Sequence, residues 1–429
     1  MRVIFQCPQA YCKALLVIAL IGIARTQTEI CTLNPEAVAF VQDMVREVAE
    51  CFKSPYFHMG GDESSVMGAC PKCAERVKSD GGKQKLFLEH YTKMADYLRS
   101  LGKRPMMWGD MLLAHKGVAE ELPKDIIIFD WHYWDSSVET VKYFTSLGFD
   151  TYVCPAMYGW ALTAVRYGNT VSNVYGFLGQ GVEGKAIGEC TCAWEYRVGQ
   201  FFNDYYWGIL LSADRAWNVK GCKVDDLNQR FCREFFGVSD TRPIEYYKEI
   251  GDAYAGIYES VIAGRGWIAE TPPSSALVPG RTNYGASITP EILQASDAEF
   301  AKILDMLRDL RGEVSRNKDV LDFADISPRL THMMIRNYAL FYQADALMKE
   351  ADKLKQDDPA GAQSRLSRAL RLLRRIDAET LYVKRRFEWA AKRIGASPFD
   401  VKRMDNVHAD IALKIKQAEA ALAQSTTGS

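Results

Sequence analysis

Between residues 34 and 217, short apolar runs alternate with amphipathic stretches, and each run ends in polar or aromatic residues. Runs of strand character cover residues 56–59, 104–108, 125–129, 150–154 and 186–193. Helical patterns lie around and between them. Val38, Val41, Val45, Val48 and Phe52 recur at helical spacing behind an Asn34-Pro35 start, and further patterns cover 84–101, 137–147 and 201–217. Asparagine caps a helix N-terminus and proline fits its first turn. Parallel strands need long crossovers, usually helical, so this rhythm forces a parallel sheet under a layer of helices. Five units in succession predict an α/β fold, a (β/α)8 TIM-type barrel that is incomplete at about five strand–helix units. The runs end at Asp62/Glu63, Trp108/Asp110, Asp130/Trp131, Tyr158 and Trp194. A sheet that served only as scaffold has no need of such residues at one shared end, whereas an active-site rim does.

Beyond Asn218 the character changes. Helical patterns at 225–236 and 243–262 precede a Pro/Gly/Ser-rich linker at 270–287, and the remainder reads as all-helical. Ser327-Pro328 and Ser397-Pro398 look like helix starts. Arg365, Arg368, Arg371 and Arg375 form a basic stripe, read as a solvated face because Leu366, Leu370, Leu373 and Ile376 supply the buried side. The expected organisation is therefore a signal-like or unrelated segment at 1–28, a partial barrel at 29–222 and a helical region at 223–429. Residues 14–24 are an unbroken apolar run of signal-peptide length, too short to span a bilayer. It reads equally as a buried element, so the chain is secreted if residues 1–24 are a signal and cytoplasmic otherwise. The formal net charge is −1, which gives no electrostatic reason to expect a nucleic-acid partner.

The chemistry concentrates at residues 56–63, where an aromatic run reaches Gly60-Gly61 and then Asp62-Glu63. Glycines there allow a sharp turn and close approach of a ligand. Paired carboxylates suit glycoside hydrolysis, which needs a proton donor at the glycosidic oxygen and negative charge near the developing cation. Neighbouring residues point in different directions, so Asp62 and Glu63 serve different parts of one substrate. An N-acetyl sugar fits this division, because its own acetamide oxygen can attack C1.

His58-Met59-Gly60-Gly61-Asp62-Glu63 resembles the H-x-G-G-D-E signature of glycoside hydrolase family 20, the β-N-acetylhexosaminidases. Cys31 to Glu36, Cys70-Pro71-Lys72-Cys73, Leu86 to His90 and Pro105 to Asp110 are similar to the hexosaminidase-D-like branch. The resemblance implies a (β/α)8 barrel and substrate-assisted, retaining hydrolysis of terminal N-acetylglucosamine or N-acetylgalactosamine. Carried over by position, Asp62 and Glu63 are the catalytic pair. His58, Trp108, Asp110, Trp131, Tyr158, Trp194 and Glu195 bind substrate. Glu195 follows Trp194 directly, where the family has a spacer.

The family's signature lies on the fourth barrel strand, and only about 30 unlike residues precede the matching region here. The first part of the barrel is therefore expected to be missing, which keeps open a catalytically weak carbohydrate-binding remnant as the alternative. Cys70-x-x-Cys73 could supply half of a zinc site, but no second pair or histidine cluster stands at ligand spacing. The reading is a thiol pair, with no metal and no cofactor. The expected partner is an N-acetylhexosamine-containing glycan, with no nucleic acid, no membrane span and a possible homo-oligomer.

Overall fold

The computed structural model describes residues 29–79, 82–115, 117–134, 136–158, 165–194, 202–257, 290–394 and 398–427. They fall into two compact units, one within Met1–Ala156 and Tyr175–Cys192, the other within Met157–Val174 and Ala193–Ser429. The signal-like run at 14–24 and the linker at 270–287 lie outside the described residues.

The first unit is an incomplete barrel. Five parallel strands, β1 Tyr56–His58, β2 Arg104–Trp108, β3 Ile127–Trp131, β4 Thr151–Cys154 and β5 Gly188–Glu189, pair in sequence order. The helices are α1 Pro35–Cys51, α2 Pro71–Ser79, α3 Gly82–Ser100, the short α4 Asp110–Ala114 and α5 Val118–Glu121, α6 Val138–Ser146 and, from Tyr175 on, α7 Tyr167–Glu183. The Asn34 side chain caps α1 by accepting the Glu36 N–H, and Ser137 does the same for Glu139 at α6.

Strand alternation sorts the side chains by face. Met107, Ile126 and Ile128 point toward the helices and build the main core with Phe87 and Ala95 of α3, Leu112 of α4, Ala119 of α5 and Phe144 of α6. Val153 packs on Val141 and Phe177 in the same layer. The opposite face carries an aromatic series. The His58 ring lies 4.5 Å from Trp108 and 4.9 Å from Phe129, and Phe129 stacks on Tyr152 at 5.0 Å.

Several boundaries differ from the sequence reading. The third strand starts two residues later and runs through Trp131, because Asp125 is drawn into an ion pair with Arg99. The fifth strand shrinks from 186–193 to Gly188–Glu189, since among the described residues β4 is its one strand partner, with an isolated Ala156–Cys192 bridge beyond it. Phe52 lies past the end of α1, where it is exposed. Helices α2 and α7 were not foreseen.

The second unit is helical beyond the barrel residues: α8 Tyr206–Trp217, α9 Val224–Arg230 continuing as a π-helical turn Phe231–Phe236, α10 Arg242–Ile257, α11 Pro290–Glu313, α12 Lys318–Ala324, α13 Ile326–Leu354, α14 Pro359–Ile394 and α15 Pro398–Thr427. Phe341 and Ala344 of α13, Leu370, Leu373 and Ile376 of α14, and Val407 and Ile411 of α15 share one core, as the leucine stripe predicted. Inside it, Asn337 donates to Thr380 Oγ1 at 2.9 Å. Helix α13 begins at Ile326, directly after α12, so Ser327 is buried in its first turn rather than capping it. Among the described residues, no helix is long and apolar enough to cross a membrane.

Candidate active site

At the end of β1 the chain turns through two left-handed glycines, Gly60 at φ 77° and Gly61 at φ 101°. Asp62 and Glu63 follow, both exposed, and Glu63 is itself left-handed at φ 48°. A non-glycine residue in that region is uncommon and costs of order 1–3 kcal/mol, so its surroundings must hold it there. They do so through a polar network. The Glu63 N–H donates to Asp110 Oδ2 at 2.8 Å. Glu29 accepts from Ser64 Oγ and from the Val66 N–H, each at 2.9 Å. The Lys83 ammonium donates to the Ser64 and Ser65 carbonyls.

Asp110 opens α4 just beyond β2. Its second oxygen accepts the Trp131 indole N–H at 3.2 Å, so one carboxylate ties the acid-bearing turn to the end of β3. Burial raises its pKa above the ordinary carboxylate value and Asp62 adds to the rise, while the Glu63 and Trp131 hydrogen bonds oppose it. Both oxygens are thus engaged within the protein.

His58 underlies the turn. The Gly60 N–H donates to its Nδ1 at 3.1 Å, which places the proton of the neutral ring on Nε2. Nε2 is buried without a protein partner. Burial lowers the pKa of His58 to about 4, so the ring is neutral near pH 7.

The first unit therefore brings together His58, Asp62, Glu63, Trp108, Asp110 and Trp131. Tyr158 and Trp194 belong to the other unit: the Tyr158 N–H donates to Thr170 Oγ1 and its ring faces the Arg166 guanidinium, and Trp194 is exposed. Glu195 lies outside the described residues.

One feature went unnoticed in the sequence, and one rim residue, Asp130, points the other way. Tyr91 of α3 packs its ring where a Gly61 side chain would sit, 3.4 Å from that position. Burial, then the charges of Asp62, Glu29 and Asp110, raises its pKa and keeps its hydroxyl protonated. Asp130 faces the helices, accepting from Thr140 Oγ1 at 2.7 Å and lying 3.1 Å from His132 Nε2. Helical spacing inside α3 carries no mark that distinguishes Tyr91 from its core neighbours. Strand parity separates Asp130 from Trp131.

Two exposed carboxylates thus stand on a turn that Asp110 ties to the end of β3, where Trp108 and Trp131 are half-buried. Residues 4–173 match the catalytic-domain model of glycosyl hydrolase family 20. A β-hexosaminidase of Emericella nidulans is 26% identical over 229 residues, covering 46% of this chain and 35% of that protein. One from Porphyromonas gingivalis is 35% identical over 86 residues, 19% of this chain and 11% of that protein. The chain thus spans about a third or less of the length of these relatives. A solved GH138 enzyme targeting pectin rhamnogalacturonan II shares the fold, with a TM-score of 0.50 and 12% identity over 90% of this chain and 65% of that one. Over residues 4–173 the chain is thus similar to the catalytic domain of glycosyl hydrolase family 20.

Proposed function

We propose that this glycoside hydrolase acts as an exo-β-N-acetylhexosaminidase, with Glu63 as acid and base and Asp62 as partner of the substrate's acetamide. The observation that carries the reading is the left-handed Glu63, fixed through its own N–H by Asp110. In the first step the acetamide oxygen attacks C1 and the C1–O bond to the leaving group breaks. Glu63 gives its proton to the departing oxygen, and Asp62 stabilises the positive charge on the oxazolinium. Glu63 then takes a proton from water, whose oxygen attacks C1 and reopens the ring with retained configuration. A nucleophile already held inside the substrate is worth about 7–11 kcal/mol in effective molarity.

Trp108 and Trp131 supply aromatic planes for the sugar's C–H faces. The test is hydrolysis of an aryl N-acetyl-β-glucosaminide against the matching aryl β-glucoside, which lacks the acetamide. Turnover confined to the former supports the mechanism, and equal turnover of both removes it. The alternative, a sugar-binding scaffold, draws support from β1, which pairs only with β2 among the described residues. That reading predicts binding of a thiazoline mimic of the cyclised intermediate without turnover.

A further inference from the structure

Cys31 is separated from Cys70 and Cys73 by the whole of α1 and β1, yet the three sulfurs converge. Cys31 Sγ lies 3.4 Å from Cys73 Sγ and 3.4 Å from Cys70 Sγ, and all three lie within 4.8 Å of one another. All three are free thiols; Cys73 is buried and the other two are half-buried. The sequence offered only the Cys70–Cys73 pair, and the fold adds the third sulfur. A tetrahedral zinc ion with Zn–S bonds of about 2.3 Å holds its sulfurs roughly 3.8 Å apart, so this cluster needs little adjustment to receive one.

The surroundings suit bound thiolates. The Cys73 N–H donates to Cys70 Sγ at 3.4 Å, across the start of α2. The Lys72 ammonium sits 3.1 Å from the Leu33 carbonyl, two residues beyond Cys31. Glu29 binds Ser64 and Val66 across the same pair of segments. The cluster is thus flanked by contacts that hold both segments in place. A disulfide would use two of the sulfurs and leave the third packed against it, whereas one cation engages all three.

We propose that Cys31, Cys70 and Cys73 form a three-thiolate site for one zinc-type divalent cation, with the fourth position open to solvent. On binding, three thiol protons pass to solvent and no electrons are transferred. The three thiolates and the dication carry a net single negative charge. The ion ties the start of α2 to the segment that leads into α1.

The test uses the full chain produced in zinc-supplemented medium, desalted under reducing conditions and assayed for metal. About one zinc per chain is expected, falling at least tenfold in Cys31→Ser and Cys73→Ala and unchanged in Cys51→Ala. Cys73 is buried, so its replacement also disturbs packing. The unaltered chain therefore provides a second measurement: stripped of metal and given cobalt, it should show thiolate-to-cobalt charge transfer and tetrahedral visible bands. A zinc-free chain lighter by two hydrogens, with one cysteine pair oxidised, overturns the proposal. So does a chain that takes up neither metal, or one that keeps its zinc in both cysteine variants.

Discussion

Asp110 holds Glu63 by its backbone, not by its side chain: the 2.8 Å hydrogen bond comes from the Glu63 N–H and leaves the Glu63 carboxylate exposed. The same Asp110 carboxylate receives the Trp131 indole. Turn and aromatic wall therefore share one anchor.

Asp110→Ala should remove both hydrogen bonds to a charged acceptor and lower stability by about 1.5–3 kcal/mol. Activity should fall by roughly 10²-fold, the cost of misplacing a reacting group by about an ångström. Asp110→Asn keeps one acceptor oxygen and should fall between the variant and the parent. Denaturant melts and kcat/KM on an aryl N-acetylglucosaminide check the order, and Asn equal to Ala would remove the two-bond account.

Glu63→Gln should lose roughly 10²–10⁴-fold through the missing general acid. A substrate with a very good leaving group needs little protonation, so its glycosylation step should be partly spared. Comparing single-turnover rates for dinitrophenyl and methylumbelliferyl glycosides reads this directly. Equal losses for both would assign Glu63 some other role.

Gly60 and Gly61 should respond differently to alanine. At Gly60 a new Cβ meets open space, so only the left-handed backbone resists, at about 1–2 kcal/mol. At Gly61, φ is 101° and the Cβ would press Met107 Cε at 3.2 Å and the Tyr91 ring at 3.4 Å. Gly61→Ala should therefore be the more destabilising by chemical denaturation. The reverse order would mean that the turn is shaped differently.

The pH prediction rests on His58. Its unfolded imidazole takes a proton near 6.5 and the folded, buried one near about 4. Between these values the unfolded chain binds the extra proton, so stability is fully present above 6.5 and is lost as pH falls toward 4. The loss at pH 5 relative to pH 7 should be on the order of 1–2 kcal/mol from this residue. His58→Asn keeps an acceptor for the Gly60 N–H and should flatten that part of the profile. An unchanged slope between pH 7 and 5 would show that His58 is solvated.

Met44, Val48, Phe52 and Tyr56 are all exposed, from the end of α1 into β1. With β1 paired on one side among the described residues, this stretch invites association through an open strand edge. Val48→Lys with Tyr56→Lys should lower the apparent mass in light scattering. A parent chain that is monomeric at high concentration would contradict the expectation.

Much of this was legible because burial and period agree. The apolar runs at 104–108 and 150–154 are strands with those residues or one fewer, and the Asn34 and Ser137 caps stand where the residue chemistry puts them. Helix α7 was hidden by its own glycines, which lower helix propensity. Gly181 is nonetheless required, since a Cβ there would come within 2.8 Å of Val153 in β4. Trp108 and Trp131 close β2 and β3, as the strand pattern puts them. The double engagement of Asp110, the packing of Tyr91 and the meeting of Cys31 with Cys70 and Cys73 depend on contacts between distant segments. No local pattern records those.

The left-handed backbone at Glu63 bears on how such a chain would drift. Glycine is the residue that position favours, and it would relieve the strain while deleting the carboxylate. Selection for folding alone thus pulls against the acid, and only the need for its chemistry pulls the other way. If Glu63 is the acid proposed above, a lineage relieved of catalysis would be expected to lose it before it lost the aromatic wall.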